Sequence, residues 1–350
     1  MIVPAPERKS LQRRVDTTNR TEPDVLSQLA PSTFPTINRA YGQVFRPGRL
    51  TVGLVVPLEA YPSGPVPTME HHLERVRLAE ELGFASLWLR DVPFDVPSFG
   101  DAGHIHDPFV YLGLLAGATD RIALGVSSIV LPLRHPAHVA KAAASADVLS
   151  GGRLLLGIAS GDRPDEYPAL GIPFDERGER FRESYDYLRR MADDRPTFAN
   201  TYGETRGIDL LPKPTSGTLP LLVTGSSQQS PEWIARHGDG WMIYPRDVST
   251  QARLIDAWRG RIADAGLQDK PVMQPLYIDL VDDGDARPQP IHLGFRSGVS
   301  ALREYLTALE GIGVNHVALN LRFHRADIET TLRRLADDLL PDFPTEDSER

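Results

Sequence analysis

Residues 121–161, RIALGVSSIVLPLRHPAHVAKAAASADVLSGGRLLLGIASG, constrain this chain more than any other stretch. Residues 122–126 and 154–158 are short aliphatic runs without alternation, the pattern of strands buried on both faces. Between them Val139, Ala142, Ala143, Ala146 and Leu149 recur at helical spacing. Pro136 suits the first turn of that helix and Gly151 its C-terminal cap. Strand, crossover helix and second strand make a right-handed βαβ unit. Both strands run into small polar loops, Ser127-Ser128 and Ser160-Gly161-Asp162, at the end of a parallel sheet where ligands bind.

The alternation continues along the chain. Strands are expected at 51–57, 85–89, 122–126, 154–158, 219–224, 240–244, 272–281 and 314–319. Thr68 is expected to cap a helix carrying Met69, Leu73, Val76, Ala79 and Leu82, with Gly83 ending it. Further helical stripes are Phe181, Tyr185, Leu188 and Met191, then Ile255, Trp258 and Ile262. Val299, Leu302, Leu306 and Leu309 form the next, and Ile328, Leu332, Leu335 and Leu339 the last. Residues 195–218, rich in Pro, Gly and Thr, read as an irregular excursion. Eight strands alternating with helices specify an α/β chain folded as a (β/α)8 TIM barrel, with insertions after strands two, four and seven. A doubly wound open sheet is the alternative, but it usually carries G-x-G-x-x-G in its first turn. Here that turn reads PLEAYPSGPVPT.

Three segments are expected: an arm over 1–48, partly irregular and proline-bearing, a barrel domain over 49–342, and a polar tail over 343–350. The basic group Arg8, Lys9, Arg13 and Arg14 in the arm reads as solvated charge. A net charge of −9 argues against a nucleic-acid partner, which needs a basic face. No apolar run reaches membrane-spanning length and no signal-peptide core is visible. The absence of cysteine removes disulfides, thiolate metal sites and cysteine nucleophiles, and the reading is a cytoplasmic protein.

On a barrel, chemistry belongs to the loops that follow the strands. Thr224-Gly225-Ser226-Ser227-Gln228-Gln229-Ser230-Pro231 packs small residues at a strand-to-helix junction, so amides and hydroxyls can converge on a phosphate. A plain turn with Ser230 as helix cap fits the same residues. Asp162 with Arg163, and Arg90 with Asp91, place acid–base pairs at the ends of strands four and two. Either pair can serve proton transfer or be a surface ion pair. His324 follows strand eight, where a catalytic rim position and a surface helix-start role compete. His104-Ile105-His106 lies in a loop without matching acidic or histidine ligands on later strands, so no metal is expected. No G-x-S-x-G elbow supports a serine hydrolase. A phosphate cradle without a protein nucleophile suits a phosphorylated organic cofactor that carries the chemistry.

The runs SSIVLPLRHPAHVAKAAASADVLSGGRLLLGIASG, FDERGERFRESYDYL and LLVTGSSQQSPEWIARHGDGW resemble the bacterial luciferase-like family of flavin-dependent oxidoreductases. The resemblance spans about residues 50–340 and implies a TIM barrel with an inserted segment. It implies a non-proline cis peptide at Ser127-Ser128 behind the flavin ring, with Gly157, Ala159 and Ser160 lining the ring. By the same likeness Gly225, Ser226 and Ser227 form the phosphate turn, and Arg177 adds a charge to the phosphate or ribityl chain.

Departures from the family pattern separate its subgroups. Deazaflavin (F420) sugar-phosphate dehydrogenases of the family have Asp-His after strand two, where this chain has Asp91-Val92, and glutamate where Asp162 stands. The resemblance therefore favours FMN, reduced by a separate flavin reductase and used with dioxygen on a small-molecule substrate. Asp162, Arg90, Asp91 and His324 are then the candidate catalytic groups. F420-dependent hydride transfer and a catalytically idle flavin-binding barrel are the alternatives. A homodimer is expected by analogy with the family.

Overall fold

The computed structural model describes residues 33–345. In chain order its strands are β1 (Thr51–Val55), β2 (Ser86–Leu89), β3 (Ala123–Val130), β4 (Leu154–Ala159), β5 (Thr197–Asn200), β6 (Gly203–Arg206), β7 (Leu221–Thr224), β8 (Gly240–Met242), β9 (Val272–Leu280), β10 (Gln289–Ile291), β11 (Gly294–Ser297) and β12 (His316–Asn320). Eight of them, β1, β2, β3, β4, β7, β8, β9 and β12, pair in parallel around a ring. The contact of Trp241 and Met242 with Val272 and Met273 completes the circuit, so the sheet is a closed (β/α)8 barrel and not an open one.

The interior is filled by side chains that alternate inward along the strands, among them Trp88, Leu155, Leu222, Met242 and Met273. Trp88 is fully buried, and glycine opposite it makes the room. A Cβ on Gly125 would sit 2.3 Å from the Trp88 ring. A second, larger apolar layer joins the outer strand faces to the helices. In the crossover helix Pro136–Leu149, the buried side is Val139, Ala140, Ala143, Ala144 and Ala146. Leu149 in its last turn is exposed rather than part of that stripe.

Five local expectations change. The helix expected from Thr68 begins instead at His72 (His72–Glu81), because Met69 and His71 sit at positive φ, and Thr68 Oγ1 receives only the Glu70 amide. The excursion at 195–218 contains an antiparallel hairpin, β5 with β6. Residues after β9 form a second hairpin, β10 with β11, and β11 extends the outer half of β9. The boundary at residue 48 also moves. Asn38 caps the helix α1 (Arg39–Val44), whose Ala40, Tyr41 and Val44 are buried with the barrel interior residues. Residues 33–48 therefore belong to the barrel body. At the other end Phe343 is buried, so the tail begins later than 343. Arg8, Lys9, Arg13 and Arg14 lie outside the described residues. No helix among the described residues is long and apolar enough to cross a membrane.

Candidate functional site

The loops at the C-terminal ends of the strands enclose a cavity of about 700 Å³. Its wall holds Arg90, Asp91, Ser127, Ser128, Ala159, Ser160, Asp162, Gly225, Ser226 and Ser227, so the turns singled out in the sequence converge on one space. The Ser127-Ser128 peptide is cis. Ser128 Oγ bonds the Thr224 hydroxyl, tying the bulge of β3 to the start of the 225–228 turn. Gly157 does not line the cavity. It lies beneath Ser128, where a Cβ would fall 2.3 Å from the Val126 carbonyl and 2.6 Å from Met242 Sδ, so its glycine lets the strands approach.

The 225–228 turn has positive φ at Gly225, Ser227 and Gln228. Its framework is internally bonded: Gly225 N donates to Met242 O at 2.8 Å, Ser227 Oγ to Thr224 O at 2.7 Å and Gln229 N to Ser226 O at 2.8 Å. The amides of Ser226, Ser227 and Gln228 donate to no acceptor among the described residues. Successive amides left free in a turn of this kind form an anion-binding concavity. The following helix, Pro231–His237, is capped by Ser230, whose Oγ accepts from Trp233 N at 3.2 Å. The helix Arg177–Arg190 closes on the turn from behind, where a Cβ on Gly178 would meet Gln228 Cβ at 2.9 Å. Arg177, at its start, lies over the Phe174 ring at 3.7 Å, donates Nη1 to Phe174 O and does not line the cavity.

The acidic and basic candidates divide. Arg90 donates to buried Asp101 at 2.5 Å, and Arg322 reaches the same oxygen at 2.8 Å, so one carboxylate holds two guanidinium groups at the cavity wall. Those cations hold the Asp101 carboxyl below its usual range against the opposing effect of burial. Asp91 is buried, and its oxygens receive Arg134 Nε at 3.0 Å, Arg134 Nη2 at 2.7 Å and Val130 N at 3.0 Å. With its acceptors committed it anchors β3, a correction to its reading as a proton-transfer group. Asp162 is exposed at the cavity mouth.

His324 is corrected as well. It is buried away from the cavity: Leu280 N donates to Nδ1 at 3.3 Å, while Nε2 meets Thr331 Oγ1 at 2.6 Å. Thr331 Oγ1 itself donates to Asp327 O, so the network puts the ring proton on Nε2. Burial lowers its pKa, and the ring joins β9 to the last helix. Of the other histidines, His104 is buried against Tyr111 with neither ring nitrogen hydrogen-bonded, and burial pushes its pKa down to about 4. Among the described residues no three His, Asp or Glu side chains are grouped to hold a metal.

Arg163, read in the sequence as the partner of Asp162, is a wall residue, and two further wall residues, Arg322 and Glu166, were not foreseen. Arg163 is buried, with its guanidinium over Phe99 at 4.5 Å. Arg322, beyond β12, is locked by Asp101 and by the carbonyls of Gly64 and Gly100. Glu166 is 2% exposed on the wall, at the start of the short helix Glu166–Ala169. The run DRPDEY looks like a solvated helix start. Its one clue was the spacing of Arg163 and Glu166, three apart before an aromatic.

The model of the luciferase-like monooxygenase family matches residues 50–338. The chain belongs to that family. Its relatives include an F420-dependent glucose-6-phosphate dehydrogenase from Beutenbergia cavernae, 30% identical over 286 residues that cover 78% of this chain and 80% of that one. Among solved structures, monooxygenase RslO1 from Streptomyces bottropensis superposes with a TM-score of 0.70 at 22% identity, covering 83% of this chain and 99% of that chain. An F420-dependent secondary alcohol dehydrogenase, in complex with an F420–acetone adduct, gives 0.69 at 18% identity, covering 83% and 98%. Both share the barrel. This luciferase-like chain is thus an oxidoreductase by family, and its relatives divide between monooxygenases and F420-dependent enzymes.

Proposed function

We propose that this chain is an FMN-dependent oxidoreductase that uses reduced FMN and dioxygen on a small organic substrate. The observation that carries the reading is the turn of free amides at Ser226, Ser227 and Gln228, facing the same cavity as the cis Ser127-Ser128 bulge. A phosphate accepts from such amides, and Ser226 Oγ adds a donor. The bulge and Ala159–Ser160 offer a wall for a planar ring. When bound, reduced flavin supplies the electrons to dioxygen. The chain's residues do the rest: the loop carrying Ser98 and Phe99 and the hairpin carrying His292 and Leu293 flank the cavity and exclude water. Arg90 and Arg163 present positive charge to oxygen atoms in the site. A separate flavin reductase is the partner this chemistry calls for.

FMN is favoured over F420 by what stands after β2. Val92 is half-buried there, 3.2 Å from where a Gly103 Cβ would lie, in place of a proton-exchanging histidine. Arg182 near the turn is committed to Gln229, so that cation is not free to meet an acidic tail. The second reading, F420-dependent hydride transfer, draws support from the similarity to the F420-dependent relative. Fluorescence titration with FMN, reduced FMN, FAD and F420 decides between them. We expect reduced FMN to bind best, and Ser226→Asp to weaken it about 100-fold through charge repulsion. Unchanged affinity in that variant, or tighter binding of F420, overturns the proposal.

A further inference from the structure

Glu166 lines the cavity, yet its Oε1 is sealed from solvent and accepts no hydrogen bond. Buried carboxylates are ordinarily bonded or paired, because an unpaired charge in a low-dielectric wall is far costlier than a neutral acid. Among the described residues its one ion-pair neighbour is Arg163, and Nη1 stands 3.8 Å from Oε1, beyond hydrogen-bond range. That Nη1 is itself buried without a partner. Arg163 is held back by other contacts, its Nη2 donating to the Asp101 carbonyl at 3.3 Å and its face lying on Phe99. Two carboxylates from neighbouring loops, Asp91 and Asp162, also face Glu166, the first already neutralised by Arg134. Arg90 stands on the other side of Arg163 and repels it.

Donor and acceptor are therefore both in place but not joined. Burial, aided by Asp91 and Asp162 and only partly opposed by Arg163, lifts the Glu166 carboxyl to about 7. The group stands between its neutral and charged forms at physiological pH, the condition general acid–base catalysis requires.

We propose that Glu166 is the proton-exchanging catalytic group of the cavity, acting on an uncharged oxygen of a carbonyl- or hydroxyl-bearing substrate. The neutral carboxyl donates a hydrogen bond to that oxygen. On a carbonyl substrate its O–H bond breaks as an O–H bond forms on the carbonyl oxygen; on a hydroxyl substrate the transfer runs in reverse, the substrate O–H breaking as the carboxylate takes the proton, and no electrons change hands in this step. Arg163 closes the gap to the carboxylate left behind, and solvent at the open mouth returns the proton. The assignment rests on the cavity being the oxidoreductase site proposed above.

The test is a carboxyl titration of the whole chain labelled with carbon-13 at glutamate Cδ, between about pH 4 and 9. One glutamate should titrate near 7, be missing in Glu166→Gln, and persist but move upward in Arg163→Met, which removes the neighbouring cation. Cyclohexanone, a neutral ketone probe, should raise the apparent pKa of that resonance by at least about half a unit, since it binds the protonated form. A spectrum with no glutamate titrating above about pH 5.5, or one unchanged in Glu166→Gln, overturns the assignment. A titration that cyclohexanone leaves unmoved overturns the substrate class. Failure of FMN to bind would instead sink the cofactor reading while leaving the carboxyl titration intact.

Discussion

At the N-terminal ends of the strands four buried polar groups, His316, Arg153, Asp147 and Lys270, are each joined to several partners, while at the C-terminal ends several are left waiting. On the closed end His316 bonds Thr51 Oγ1 through Nδ1 and receives Trp88 Nε1 on Nε2 at 2.9 Å. Arg153 makes five hydrogen bonds, four to carbonyl oxygens and one to the Thr119 hydroxyl. Asp147, fully buried, links Asn38 to Thr215, and Lys270 Nζ caps the carbonyls of Ala235 and Gly238. On the open end Glu166 Oε1, Arg163 Nη1 and the amides of 226–228 have no hydrogen-bond partner among the described residues. Saturated networks fix a fold; donors and acceptors left unjoined in a wall are suited to a ligand.

The sharpest way to break this contrast is Arg153→Met. It strands four carbonyls and a hydroxyl in the closed end, so unfolding in urea should show a loss of about 3–5 kcal/mol. A loss below about 1 kcal/mol would mean that these bonds are not structural. Next comes Ser226→Asp on the open end, expected to cost about 2.7 kcal/mol of FMN binding and almost no stability. A comparable fall in thermal midpoint would erase the distinction between the ends.

The third prediction concerns pH. Burial holds His316 neutral, with its pKa lowered from 6.5 to about 3. Below pH 6.5 the unfolded chain takes up a proton that the folded chain refuses. The contribution is therefore fully present above 6.5 and is lost progressively as pH falls towards 3, at up to about 1.4 kcal/mol per pH unit. Urea midpoints measured from neutral to acid pH should fall more steeply for the wild type than for His316→Gln, and parallel curves would refute the assignment. The smallest effect is a gain. Because Glu166 is raised, ionisation in the unfolded chain favours unfolding above pH 4.5, and Glu166→Gln should be more stable at pH 8 by about 1 kcal/mol. Lower stability in that variant would place Glu166 with the saturated end.

The barrel was legible because its cause is periodic: unbroken aliphatic runs at 122–126 and 154–158 can be satisfied only between two layers. The turn at 225–228 was legible because small residues in sequence are what such a turn requires, and Ser127, Ser128 and Ser160 came with the strand ends that carry them. The roles of charged residues were not. Asp91 and His324 look available in the sequence, but Arg134 lies 43 residues from the first and Leu280 lies 44 from the second. The arm before residue 48 has no sustained period, so nothing local announced that Tyr41 would reach Asp239, 198 positions away.

The sequence by itself determined the alternation of strands and helices, and with it the end of the barrel where a site must lie, since both follow from local hydrophobic period and turn chemistry. Which polar groups face that site free and which are consumed in holding the walls was decided only by the tertiary structure. Desolvation and pairing depend on neighbours brought together from distant strands, and Glu166 beside an unreached Arg163 exists only once the barrel has closed.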